Sequence, residues 1–363
     1  MLASYPNWRN EMVCDKCESC KESGFKFCIK CGMDLSGNEP VPTEAEYNRI
    51  LSESNLRASV IPAAFYIAIG MMICIALAVY YSLDTFNYVK TYNFTLYLFI
   101  PLEWEIVTIS GIWIQTFWIL ILMGLVASSA AVLWQSRGMF SIKWDGYADR
   151  IRDTPVYWIG FLLCGVTIIE LVTVLLAAVA GADVSTPVDF MEWDIEKMLF
   201  QFGEAAVWEE IAFRLVPFGL PMMIAALLCR QKDFLKYPLG GFGVSKLSLV
   251  LLFITAIIFG YAHVGGWGLW KMVPASLGGL VFGYLYMRFG IHASIVGHMV
   301  NDFIVVWMKY DISLSTLEIW LILAGLVCLP ALLIYTYRGI KRVKELPSTG
   351  FVDYDGIDQD DSN

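Results

Sequence analysis

Charge is scarce in this sequence. Lys, Arg, Asp and Glu make up only 16% of the 363 residues, whereas 58% are apolar and the mean hydropathy is +0.60. So little charge excludes a soluble domain and describes an integral membrane protein. Histidine is scarcer still, with three residues, all between His263 and His298. No His-Glu-x-x-His element occurs, which excludes the standard zinc-protease helix. A basic region followed by a short apolar run and a small-residue cleavage site is also lacking, so no removable signal peptide is expected and the first span would anchor the chain. Internal repeats and long low-complexity tracts are missing, and with them the repeated halves and paired broken helices common in transporters.

Long apolar runs are what the sequence has in abundance. Runs able to cross roughly 30 Å of hydrocarbon lie near 58–82, 107–134, 155–180, 199–228, 247–264, 272–288, 291–308 and 316–337. They predict an all-α, polytopic membrane helix bundle of about eight transmembrane helices. The stretch 94–104 is apolar too, but it is too short to span and Pro101 interrupts it, so an interfacial or re-entrant piece is expected there. Basic residues fall after the second, fourth and sixth runs, at Arg137, Lys143, Arg150 and Arg152, then Arg230, Lys232, Lys236 and Lys246, then Arg288. The alternate loops are acidic or neutral, as at Asp183, Asp189 and Glu192. That asymmetry predicts a multi-pass cell-membrane protein with both termini cytoplasmic.

Five of the nine cysteines crowd into residues 14–32, as Cys-x2-Cys-x2-Cys-x7-Cys-x2-Cys-Gly. Paired Cys-x-x-Cys knuckles supply the thiolate set that structural zinc takes, and a reducing cytosol disfavours disulfides. The stretch resembles the short zinc-ribbon heads of many prokaryotic membrane proteins. That resemblance implies a structural zinc on Cys14, Cys17, Cys28 and Cys31, with Cys20 spare. The expected organisation is then a ribbon over 1–34, a linker over 35–57, a membrane domain over 58–345 and an acidic, disordered tail over 346–363. Gly265-Gly266-Trp267-Gly268 is expected to be a loop.

The most costly residues lie inside the spans. Glu209 and Glu210 are adjacent within the fourth apolar run, and an acid at the centre of a spanning helix costs roughly 2.5 to 3.5 kcal/mol, so such groups face a bundle interior or a wet cavity. Glu210 and Arg214 are four residues apart, on one helical face and in the better orientation for pairing. Glu209 has Ala212 and Phe213 at the equivalent offsets and is left without a local basic partner. Phe259 and His263 share a face of the fifth run, and His298 and Asp302 a face of the seventh. Each pattern alone is as well explained by packing or a structural hydrogen bond. Glu170, midway along the third run, is read as such a structural group.

Glu-Glu-x-x-x-Arg at Glu209 to Arg214, Phe-x-x-x-His at Phe259 to His263 and His-x-x-x-Asp at His298 to Asp302, in that order on successive spans, resemble the three motifs of the CPBP family. These are the CAAX prenyl endopeptidases and bacteriocin-processing or immunity (Abi) proteins, and the resemblance covers about 155–310. It implies an intramembrane endopeptidase acting on a membrane-associated or lipidated, CAAX-like protein. Glu209 would take a proton from the attacking water, held with His263. Glu210, tied to Arg214, would orient His263 or the helix, and His298 with residue 302 would stabilise the oxyanion. Glutamate with two histidines is also a set that could hold a catalytic zinc, although the mechanism does not require one. One position departs from the family, which commonly has Asn where this chain has Asp302. An ionised carboxylate cannot donate to an oxyanion.

Two other readings compete. In one, the chain is a non-catalytic membrane scaffold or bacteriocin-immunity protein whose polar residues only shape the bundle. In the other it is a transporter, since intramembrane acids and histidines also mark proton paths. The expected partners are the bilayer and a lipidated or membrane-embedded substrate, with no nucleic acid; the oligomeric state is not encoded in any feature of the sequence.

Overall fold

The computed structural model describes residues 17–23, 76, 80–99, 103–140, 151–184, 192–309, 314–349 and 351. Cys14, Cys28 and Cys31, the linker, most of the first apolar run and the far tail lie outside the described residues. Cys17 opens the short helix α1 (Cys17–Glu22), in which Cys20 is buried.

The rest is a helical bundle with one small sheet. Helix α2 (Ser82–Val89) leads into strands β1 (Asn93–Phe99) and β2 (Glu103–Ser110), which pair antiparallel with a register shift between Leu96 and Tyr97. Then come α3 (Ile112–Gln135), α4 (Pro155–Val179), α5 (Ile195–Leu228), α6 (Lys246–Ala262), α7 (Met272–Phe289), α8 (Ile291–Lys309) and α9 (Leu314–Arg342). Among the described residues, five helical stretches are long and apolar enough to cross a membrane: Ile112–Gln135, Pro155–Val179, Ile195–Leu228, Lys246–Trp267 and Leu321–Glu345. Helices α7 and α8 occupy the sixth and seventh apolar runs.

One expectation gains a structure and another needs correcting. The described residues of 94–104 belong to the paired strands β1 and β2, and β2 takes the start of the second apolar run, so α3 begins only at Ile112. The two strands are rich in β-branched and aromatic residues, and Phe94, Leu96 and Leu98 turn inward while Tyr97 turns out, a period of two. The Gly265 to Gly268 stretch is also more ordered than a loop. Val264–Trp267 forms a further helical turn that stops at Gly268, whose φ of 88° suits glycine.

Helix α6 is apolar all round, so size decides which face goes inward. Leu252, Thr255, Ala256, Phe259 and Gly260 are buried, and Val250, Phe253, Ile254, Ile257 and Tyr261 form an exposed stripe suited to lipid. Small residues let α7 approach: a Cβ on Gly260 would lie 2.5 Å from the Met272 carbonyl oxygen, and one on Gly279 would lie 3.0 Å from the Ala256 Cα. Close backbone contact of this kind is how membrane helices gain packing energy where lipid removes the hydrophobic drive. At the other end of α6, the Lys246 and Leu247 amides donate to the Pro347 and Ser348 carbonyls, and Phe351 packs edge-on against Tyr237 at 5.2 Å. The beginning of the expected disordered tail is therefore packed.

Candidate active site

Helix α5 is not a regular α-helix through its middle. Ala205–Glu209 and Ile211–Gly219 are wide turns with i to i+5 hydrogen bonding, flanked by α-helical Ile195–Glu204 and Leu220–Leu228. Pro217 lies in the second wide turn and has no N–H to give, which breaks the i to i−4 ladder and favours such an adjustment. Glu209 and Glu210 sit where the two wide turns meet, the kind of place where these turns recur at functional sites.

Glu210 is fully buried and densely partnered. Its Oε1 accepts from His298 Nδ1 at 2.8 Å, the Ser294 hydroxyl donates to its Oε2, and Arg214 Nε lies 3.2 Å from Oε2 as an ion contact without hydrogen-bond alignment. Arg214, 1% exposed, has its guanidinium 4.5 Å from the centre of the Phe259 ring and 5.6 Å from that of Phe282, and it donates to the Gly279 carbonyl at 3.4 Å. The carboxylate of Glu210 thus meets both Arg214 and His298.

His298 lies flat on Phe282, with ring centres 4.6 Å apart and planes 13° apart, and edge-on to Phe259. Its Nε2 is 3.3 Å from Asp302 Oδ2 and 3.8 Å from Glu209 Oε2. Both ring nitrogens therefore face carboxylate oxygens, so each is placed to donate. Glu209 Oε2 is the only carboxylate oxygen buried without a hydrogen-bond partner among the described residues. His263 accepts no such position beside His298. Its Nδ1 is 2.8 Å from the Phe259 carbonyl oxygen and its ring is 4.7 Å from the Phe259 ring, yet it remains within electrostatic reach of Glu209.

The motif residues on α5 and α8 thus share one cluster, with His263 at its margin. Three further residues belong to it. Ser294, one turn before His298 on α8, had a readable signal in its spacing of four. Phe282, supplied by α7, had none. Glu204 is 7% exposed and within electrostatic reach of Glu209, His298 and Asp302. Its spacing of five from Glu209 would put it about 140° away on a regular helix, and the wide turn Ala205–Glu209 lies between the two. Glu170 stands apart from this cluster, and the charge it senses is that of Lys271. No group of three or more His, Cys, Asp or Glu side chains among the described residues is arranged to hold a metal ion.

Residues 192–304 match the family described as Rce1-like, type II CAAX prenyl endopeptidase Rce1-like. No curated protein and no solved structure matches the chain. The matched segment holds all three motifs and runs from just before α5 into α8, the elements that bring Glu209, Glu210, Arg214, His298 and Asp302 together. Residues 192–304 are thus similar to the type II CAAX prenyl endopeptidase, Rce1-like family, within an integral membrane protein.

Proposed function

We propose that the chain is an intramembrane endopeptidase that hydrolyses a peptide bond in a prenylated protein at the bilayer, with water activated by Glu209. The observation that carries this reading is the contrast between the two adjacent glutamates. Every charge around Glu210 is matched, whereas Glu209 Oε2 is buried, lacks a hydrogen-bond partner and lies 3.8 Å from a histidine nitrogen placed to donate.

Glu209 takes a proton from water as the water oxygen bonds to the scissile carbonyl carbon, and the carbonyl electron pair becomes an oxyanion. His298 Nε2 donates to that oxyanion, its ring held by Glu210 at Nδ1 and by stacking on Phe282. As the C–N bond breaks, Glu209 returns the proton to the leaving nitrogen. Glu210 and Arg214 do not touch the reacting atoms; they orient His298 and cancel each other's charge. His263 adds a second polar group beside Glu209. Asp302, 3.3 Å from the same Nε2 before substrate binds, gives up that N–H to the oxyanion and does not itself donate.

The test is cleavage of a fluorogenic peptide carrying a farnesylated cysteine fourth from its C-terminus, using full-length protein in detergent. Glu209→Gln is expected to lower kcat by about 10²-fold or more with the protein still folded. Wild-type protein that leaves the peptide intact, or Glu209→Gln that cleaves it normally, would sink the reading in favour of a scaffold. Both termini are proposed to be cytoplasmic, and Cys14, Cys17, Cys28 and Cys31 to hold a structural zinc, since four thiolates in paired knuckles are the donor set that ion favours. Metal analysis is expected to find zinc that Cys14→Ser loses while peptide cleavage by the membrane domain persists.

A further inference from the structure

Lys271 has no part in the steps above, yet it ends a line of residues that starts at the reacting cluster. His263, within electrostatic reach of Glu209, caps α6, and the Trp267 amide donates to its carbonyl at 3.1 Å, so the helix runs on for one more turn. Residues four apart share a face, which sets Trp267 about 6 Å along from His263. Gly268 ends that turn and Leu269–Lys271 follows as a short, tighter one. The Lys271 ammonium then lies 4.8 Å from the centre of the Trp267 ring and 5.7 Å from that of Trp270, the two rings being edge-on at 6.5 Å. From His263 to the ammonium is thus on the order of 10 Å.

This corner holds donors and lacks an acceptor. Indole faces attract a cation but do not neutralise it. Among the described residues no carboxylate lies within ion-pair distance of Lys271; Glu170 senses its charge without touching it. Trp270 Nε1 is buried without a hydrogen-bond partner among the described residues, whereas buried indole N–H groups usually find one. There is room as well. A Cβ on Gly265 or Gly266 would meet nothing within 4 Å, and both glycines are exposed. An open strip that runs from a histidine to an ammonium suits an extended chain that ends in an anion.

We propose that Lys271 is a specificity-determining residue that binds the free C-terminal carboxylate of the substrate, held for it by Trp267 and Trp270. The inference rests on the hydrolase reading. A substrate whose prenylated cysteine is fourth from its C-terminus carries that carboxylate three residues further on, about 10 Å in an extended chain. The strip from His263 to Lys271 is of that length. A lysine suits the task, because its ammonium is a point charge with three donors on a flexible stem. The contact is remote from the reacting atoms and selects chains that end there over chains that continue.

The experiment compares two farnesylated peptides of one sequence, one ending in a free acid and the other in an amide, with full-length protein in detergent. Wild type should favour the acid by about 10-fold or more in kcat/KM, the worth of one hydrogen bond between charged groups. Lys271→Gln should lose that preference, its kcat/KM on the acid falling to the wild-type value on the amide through a higher KM. Its thermal midpoint should not move, and Lys271→Arg, which keeps the charge, should keep most of the preference. Wild type that cleaves both peptides alike, or Lys271→Gln that still favours the acid, overturns the proposal. So does a Lys271→Gln that melts early and slows both peptides by one factor, which would make Lys271 a structural partner of Glu170 or of a lipid phosphate. The two readings fail differently: cleavage without preference removes only the carboxylate site, whereas wild type inert toward both peptides removes the hydrolase reading itself.

Discussion

Arg214 is held by aromatic rings as much as by its counter-ion. With the guanidinium between Phe259 and Phe282 and against Glu210, removal leaves a carboxylate at 0% exposure facing only His298 and Ser294. Arg214→Ala is expected to cost about 3 to 5 kcal/mol of stability, the usual result of stranding one half of a buried pair. Arg214→Lys keeps the charge but loses the planar fork and its stacking, so it should fall between. Denaturant unfolding in detergent measures both, and an Arg214→Ala protein as stable as wild type would show that Glu210 does not depend on the pair. Asp302→Asn is expected to cleave at least as fast as wild type, because the amide keeps an acceptor for His298 Nε2 and adds a donor. A dead Asp302→Asn would mean that the carboxylate itself is required. At this scale the sequence was legible where a regular helix joins residues four apart, as with Glu210 and Arg214 or His298 and Asp302. It was illegible for Glu204, which a wide turn separates from Glu209, and for Phe282, which arrives from another helix.

Among the elements, the contact between α6 and α7 carries the motif phenylalanine and sets the floor of the cluster. The Cβ of an alanine at 260 would meet Ser276 Oγ at 2.0 Å and the Met272 carbonyl oxygen at 2.5 Å. The serine can rotate away, but the backbone carbonyl cannot. Gly260→Ala is therefore expected to push α6 off α7, lowering the thermal midpoint and peptide cleavage together; Ser276→Ala should not restore either. Unchanged melting of Gly260→Ala would show that the helices have slack there. Helix positions were readable because apolar runs of spanning length have few alternatives. The hairpin was not, because Tyr97, Trp104, Ile106 and Val107 on its open surface are apolar as well, which hides the polar alternation that normally marks a strand. It is tied to α5 next to Glu209, where Trp208 Nε1 donates to the Tyr97 carbonyl at 2.9 Å.

For the whole molecule, sidedness is the open axis, and the loop after α5 offers a probe. Cys229 is exposed there, beside Arg230 and Lys232, whereas Cys164 and Cys328 are buried. If basic loops face the cytoplasm, a membrane-impermeant maleimide should label Cys229 in inverted vesicles and not in intact cells. The opposite pattern would reverse the topology. Loop charge made a topology readable from sequence, but depth was not readable, since spacing along each helix says nothing of how far the distorted α5 shifts its carboxyls. The backbone bonds from Pro347 and Ser348 to the first turn of α6 add an order of events. Two of the amides that open the helix carrying Phe259 and His263 find their protein acceptors only after the ribosome has made residues that follow the final described helix. Insertion of the spans can proceed one after another during synthesis, but α6 is completed only once that late segment emerges. A nascent chain stalled before Pro347 should therefore be membrane-integrated yet imperfectly closed around its own buried polar cluster.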